Sequence, residues 1–299
     1  MADSNVIETI GLRKRYPAVE ALRGLDVSVP RGSIFGFLGR NGAGKTTTIK
    51  ILLGMARPTS GQARVFGLPA DAPESSVAIR RRTGLVSEDK DLCEYLTVRE
   101  MVSFTASFYP QWRADLAERY MARFALPSEQ KVKELSRGTR TKLALLLALC
   151  RGAELLILDE PTSGLDPAAI DDVLQALVAH VAGEGTTVFF SSHQIAEVEQ
   201  IADHIGIIDA GRMVIAGGLE DLREKYSRVQ LVFDGQAPEP NFRGQGIVKV
   251  RRNGRTMTVL SNGGSAPIVE EARALNPVSV DVVPVTLKEI FLETVVEEA

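Results

Sequence analysis

Gly39-Arg40-Asn41-Gly42-Ala43-Gly44-Lys45-Thr46, with Thr47 and Thr48 directly behind it, is the stretch that decides the fold. It fits GxxxxGK[ST], a loop whose backbone amides wrap a phosphate while the lysine reaches the β and γ groups and the threonine hydroxyl meets magnesium. An apolar run ends in front of it at Leu38, and a helical pattern follows it from Lys45 to Leu53, stopping at Gly54. The order is therefore strand, loop, helix, and the helix N-terminus adds positive potential where the phosphate would sit.

Working outward, Val6 to Phe37 alternates runs of Val, Ile and Phe with turn residues, which predicts several short strands. From about 91 to 150 the pattern is helical, with interruptions near Pro110 and Pro127. Leu155 to Leu158 is a compact apolar strand of the kind buried in a parallel sheet. A helix from Ala168 to Val181, a strand from Thr187 to Phe190, a helix to Ala202 and a strand from Ile205 to Ile208 continue an α/β alternation. Beyond Tyr226 the character changes. Val229 to Phe233, a hairpin signal at Asn253-Gly254, a helix from Ile268 to Leu275, a Val-rich run from Val278 to Val285 and an amphipathic helix from Leu287 to Val296 predict a small α+β domain. The expected division is thus 1–225 and 226–299. Arg251, Arg252 and Arg255 read as a solvated, charged strand end.

Composition bounds the function classes. With 35 Lys plus Arg against 38 Asp plus Glu in 299 residues, the formal charge is -3, so no generic polyanion binding and no nucleic-acid partner is expected. The cysteines, Cys93 and Cys150, stand in neither a metal-ligand nor a disulfide spacing, and Cys150 closes an apolar run that reads as core. That usage suits a reducing compartment. The polar start Met1-Ala2-Asp3-Ser4-Asn5 carries no secretory pattern, and the longest apolar run, Leu143 to Cys150, falls short of the roughly 20 residues a membrane helix needs. A cytoplasmic chain, peripheral at most, is expected.

Several further elements narrow the chemistry. Asp159-Glu160 places two carboxylates at the end of the apolar strand, one suited to magnesium and the next to polarising a water. No NKxD base-reading motif occurs, which weighs against a GTPase. Leu135-Ser136-Arg137-Gly138-Thr139 lies ahead of that strand, Ser163-Gly164-Leu165-Asp166 follows Pro161-Thr162, and His193 closes the next strand in Phe189-Phe190-Ser191-Ser192-His193.

In this order and spacing the set resembles the ABC-type ATPases over about residues 6 to 220. The resemblance implies a P-loop NTPase fold: a RecA-like core with an antiparallel β subdomain and a helical subdomain at about 91–150, here followed by the small C-terminal domain. It implies ATP and Mg2+ as ligands and two such domains facing head to tail as a homodimer or heterodimer, each ATP held between the P-loop of one and the LSxG segment of the other. Ser136 and the Gly138 amide would meet the γ-phosphate from the opposite subunit, near a helix N-terminus that favours anions. Asp159, with Thr46, would hold magnesium, Glu160 would be the general base, His193 would contact the γ-phosphate and Asp166 would link the two sites. Tyr16, after Arg13-Lys14-Arg15, matches the aromatic that stacks on adenine. Glu197 and Glu199 read as solvated helix faces.

The chain departs from the family pattern in places. Arg137 stands where the usual LSGGQ has glycine, and Thr139 replaces the glutamine. Glu88, in Gly84-Leu85-Val86-Ser87-Glu88-Asp89, occupies the place of a glutamine that senses magnesium and γ-phosphate, so a further carboxylate is expected near the metal. The resemblance implies an integral membrane permease as a separate chain, met near residues 83 to 110, and the C-terminal extension resembles those on multidrug and antibiotic exporters. The alternative is a soluble ABC ATPase that remodels a ribosome or DNA.

Overall fold

The computed structural model describes residues 5–239, 242 and 246–294. The chain divides into two compact units, Met1–Ala216 and Gly217–Ala299, ahead of the expected boundary after 225. The helix Leu219–Lys225 goes with the second unit because only Tyr226 separates it from the strand Ser227–Val232.

In the first unit, a six-stranded sheet runs in the order Arg212–Gly218, His204–Asp209, Ile34–Leu38, Thr187–Ser192, Leu155–Asp159, Thr83–Val86. From His204–Asp209 to Thr83–Val86 the pairings are parallel. Every residue of Ile34–Leu38, Leu155–Asp159 and Thr187–Ser192 is buried, which is why these strands are continuous apolar runs rather than alternating ones. Phe189 packs on Phe35 and Phe37, with ring centroids 5.6 and 5.2 Å away. Each such fully buried ring stabilises by about 1.5–3 kcal/mol. The register pairs Leu38 with Ser192 and Asp159 with Ser191. The glycine loop, the two carboxylates and His193 therefore emerge together at the carboxyl edge of the sheet, where open α/β sheets bind ligands.

Instead of several short strands, the N-terminal region forms two strands of 11 residues, Asn5–Arg15 and Glu20–Pro30, then Ile34–Leu38. Gly11, at φ +55, sits at a register shift between Thr9 and Leu12, so a residue that reads as a turn is absorbed as a bulge within one strand. With Ser60–Val65 and Leu68–Pro69 these strands make an antiparallel four-stranded sheet.

Residues 91–150 carry the helices Val98–Ala106, Ala114–Arg123 and Arg137–Leu149, with a 3-10 turn at Val132–Glu134. Pro110 and Pro127 fall between them, as expected. Thr97 and Glu100 open the first helix as a capping box, Thr97 N donating to the Glu100 carboxylate at 2.8 Å and Glu100 N to Thr97 Oγ1 at 3.2 Å. Burial pushes the Cys150 thiol up to about 12, so it packs as a small apolar side chain.

The second unit is a four-stranded antiparallel sheet ordered Ile247–Asn253, Thr256–Ser261, Ser227–Val232, Ser279–Pro284. Asn253 pairs with Thr256, so the turn is Gly254-Arg255 with Gly254 at φ +58. The helix Ala266–Arg273 packs Ile268 and Ala272 into the core with Val229, Leu231, Met257 and Val259. The last helix spans Leu287–Thr294, and the remaining stretch expected to be helical, to Val296, lies outside the described residues. Its Glu289 pairs with Arg228, and its Glu293 lies 2.6 Å from both Lys249 and Arg251. Arg251, Arg252 and Arg255 are exposed, as expected of a solvated, charged strand end, and Arg251 adds an ion pair to the last helix.

Candidate functional site

The glycine loop is shaped by close approaches that only glycine permits. A Cβ on Gly39 would lie 2.6 Å from the Ile208 carbonyl, and one on Gly44, at φ +114, 2.8 Å from the Ala21 carbonyl. Gly39 N donates to Ser192 O at 3.2 Å, Ala43 N to Arg40 O at 3.1 Å, and Gly211 N to Ala43 O at 3.0 Å. Thr48 closes the first helical turn through its own N and Oγ1, both on Gly44 O. Lys45 folds back over this loop, donating to Gly39 O at 2.8 Å and reaching Arg40 O at 3.4 Å. Arg40, Asn41, Gly42, Thr46 and Thr47 line a cleft of about 500 Å³ beside it.

The facing wall is the end of Leu155–Asp159. Asp159 Oδ1 accepts from Ser191 Oγ at 2.6 Å, and the same hydroxyl accepts from Glu160 N at 3.0 Å. One buried serine thus fixes both carboxylate residues. Glu160 has φ +49, a left-handed conformation costing about 1–3 kcal/mol for a non-glycine residue. Its carboxylate is held at both oxygens: Oε1 lies 3.1 Å from Lys45 Nζ and Oε2 2.8 Å from His193 Nδ1. The Lys45 contact is an ion pair without hydrogen-bond alignment, so buried Oε1 keeps no hydrogen-bonding partner. An oxygen so placed, opening on a cleft, is ready to accept a bond from a ligand or water.

Tyr16 and Glu88 also line the cleft, and so does Ser163. The Tyr16 ring is partly exposed, with Lys14 Nζ 4.9 Å from its centroid. Glu88 is exposed, and its carbonyl accepts from Lys90 Nζ at 3.2 Å. Lys90 itself is buried at φ +50, and that burial, together with Arg137, lowers its pKa. Leu135, Ser136, Arg137, Gly138 and Thr139 are not brought into the cleft, nor are Gly164, Leu165 and Asp166. Ser136 caps Arg137–Leu149, its Oγ accepting from Thr139 N at 3.1 Å, and Asp166 caps Pro167–Glu184, accepting from Ala169 N at 3.0 Å.

Sequence reasoning missed Ser191 and misplaced Glu197. Glu197 is 3% exposed, with Oε2 accepting from Ser192 Oγ at 2.8 Å, rather than a solvated helix face. The same hydroxyl accepts from Gln194 N at 2.9 Å, so Glu197 braces the loop that carries His193. The only signal for either residue was the hydroxyl pair next to His193.

Among the described residues no group of three or more His, Cys, Asp or Glu side chains forms a self-sufficient metal site. The donor set still fits Mg2+, which binds through one or two carboxylates plus substrate phosphates: buried Asp159, the Thr46 hydroxyl at the glycine loop, and Glu88 on the cleft wall.

Comparison with known proteins gives concordant matches. A family model described as ABC transporter matches residues 22–163. The bacitracin transport ATP-binding protein BcrA of Bacillus licheniformis is 37% identical over 239 residues, covering 78% of each chain. The daunorubicin resistance ATP-binding protein DrrA3 of Streptomyces coeruleorubidus is 34% identical over 287 residues, 93% of this chain and 88% of that one. A solved structure described as the ATP binding subunit of an ABC transporter superposes with a TM-score of 0.64 at 31% identity, over 73% of this chain and 92% of that one.

Proposed function

The chain belongs to the ABC transporter family as an ATP-binding, ATP-hydrolysing member, and from that premise we propose that it is the energy-supplying subunit of an exporter. It works as one of a pair of ATPase domains that close on ATP and drive a separate membrane permease. The observation that carries this reading is the Lys45–Glu160–His193 cluster facing the cleft, with the Ser136–Gly138 surface left outside it. A phosphate-binding loop and a base on one surface, and a capped helix N-terminus on another, suit a nucleotide held between two copies. Export is supported by relatives whose names specify bacitracin transport and daunorubicin resistance. No described helix is long and apolar enough to cross a membrane, and a partner chain would supply that part. The chain would then sit on the inner face of the membrane. The second unit holds none of the cleft residues and is read as an accessory domain.

In the chemistry, Lys45 exchanges Glu160 and the loop carbonyls for the β and γ oxygens of ATP, while the loop amides bind around them. Tyr16 offers its π-face to the adenine. Thr46 and Asp159 would hold Mg2+, which when bound neutralises phosphate charge. Once Lys45 has left it, Glu160 takes a proton from the attacking water through Oε1, and His193, bonded at Oε2, holds the carboxylate in place. Ser191 keeps Asp159 and Glu160 in register.

The test of function is purification of the tagged chain from detergent-solubilised membranes of its own host. Co-purification with a polytopic membrane chain that stimulates its ATP turnover is the expected result. Recovery only in the soluble fraction, bound to ribosomes or DNA, would replace this reading with a remodelling one.

Glu88 is read as adding charge beside Mg2+. Glu88→Gln should fold and bind ATP normally but raise the half-saturating Mg2+ concentration about two- to fivefold, the worth of one exposed charge at about 0.5–1 kcal/mol. Superimposable Mg2+ titrations would take Glu88 out of the site.

A further inference from the structure

Arg137, where the family pattern has glycine, is the first residue of the helix Arg137–Leu149 and reaches back to the loop after Glu160. Its Nη2 donates to Ser163 Oγ at 3.2 Å. Its guanidinium lies against Gly164: a Cβ built there would fall 2.5 Å from Nε and 2.6 Å from Cζ. Gly164, at φ +77, thus leaves the space that the arginine occupies. Next to this contact, a Cβ on Gly138 would come 3.3 Å from Leu165 Cδ2, so the first turn of the helix and the loop are packed together at successive positions.

The loop leads directly to the reacting end of the site. Ser163 N donates to Glu160 O at 3.2 Å, closing the turn that holds Glu160 in its left-handed conformation, and Ser163 lines the nucleotide cleft. A contiguous path therefore runs from the helix N-terminus through the Arg137 guanidinium and the Ser163 hydroxyl to the Glu160 backbone. Each link is a hydrogen bond or a van der Waals contact within one chain.

We infer that Arg137 is a positioning residue: it ties the helix end that would meet the partner subunit's nucleotide to the turn that aims this subunit's own Glu160. This rests on the reading of Glu160 as the base and adds a route by which one site reports on the other. Arg137 acts through Ser163 on the placement of the Glu160 carboxylate, not on nucleotide binding. Its fork suits the task, because one nitrogen donates to the hydroxyl while Nε and Cζ fill the space beside Gly164 that a Cβ would take. A lysine keeps a donor but loses the plane.

The experiment is a double-mutant cycle in the full chain, with ATP affinity and steady-state turnover measured for Arg137→Ala, Ser163→Ala, the double variant and Arg137→Lys. Misplacement of a catalytic group by about 1 Å costs up to about 10²-fold in rate. Arg137→Ala and Ser163→Ala should each lower kcat about ten- to a hundredfold with ATP affinity held within about twofold, and the double variant should be no slower than the slower single. Arg137→Lys should fall between Arg137→Ala and the parent. If Arg137→Ala no longer binds ATP, the cycle is run with Arg137→Lys, whose loss should vanish in the Ser163→Ala background. Losses that multiply in the double variant would mean that Arg137 acts independently of Ser163, for example directly on a phosphate, and would overturn the inference. So would unchanged kcat in Ser163→Ala, or a loss confined to KM. The reading of Glu160 is scored separately by Glu160→Gln, which is expected to lower turnover about 10²–10⁴-fold whether or not Arg137 relays to it.

Discussion

Glu160→Gln should lower steady-state ATP turnover by about 10²–10⁴-fold, the usual contribution of a positioned general base, while leaving ATP affinity near that of the parent. The carboxamide keeps the shape of the side chain and at least one contact to His193 Nδ1, so the turn that holds Glu160 at φ +49 is retained. What it loses is the basicity of Oε1, the buried oxygen without a hydrogen-bond partner. It also loses charge beside Lys45, which frees the ammonium for phosphate and favours the bound state. Turnover is checked by phosphate release and affinity by equilibrium binding without hydrolysis. Near-parental turnover would remove Glu160 from the chemistry.

Lys45→Ala should weaken ATP binding by at least about 30-fold. Truncating one partner of a buried, hydrogen-bonded charge contact costs about 2–5 kcal/mol, and each 1.4 kcal/mol is tenfold in affinity. The lost affinity comes from the phosphate contact. In the nucleotide-free protein the same change leaves buried Glu160 with His193 alone, so a lowered Tm should accompany it. Unchanged affinity would contradict the assignment of the loop.

The parts of the site that were legible in the sequence are those set by local chain geometry. Gly39 to Thr46 must be glycine-rich because a Cβ at Gly39 or Gly44 collides with backbone from elsewhere, and the motif records that demand in consecutive residues. Asp159-Glu160 was legible because a buried apolar strand ending in two carboxylates is a contrast within a few residues. Ser191 was not, because its role comes from the parallel register that sets it opposite Asp159, and no spacing encodes that register. Glu197 misled for a related reason. Its polarity suggests solvent, whereas the short helix Ile195–Ile201 lies so close to Gly36 that a Cβ there would be 2.5 Å from Val198, and this packing buries the carboxylate. Arg137 was visible as a departure from pattern, but its partners, Ser163 and Gly164, lie across a fold contact. The long N-terminal strands show the same limit, since Gly11 reads as a turn until its register with the neighbouring strand is known.

The central claim is that ATP is held between two copies, with hydrolysis releasing the clamp. Light scattering on the Glu160→Gln chain, with and without Mg-ATP, tests it most directly. The account expects the scattering mass to double on adding ATP, and to return to that of one chain when ADP is supplied instead. A mass unchanged by ATP, under conditions where the same sample binds the nucleotide, would contradict it.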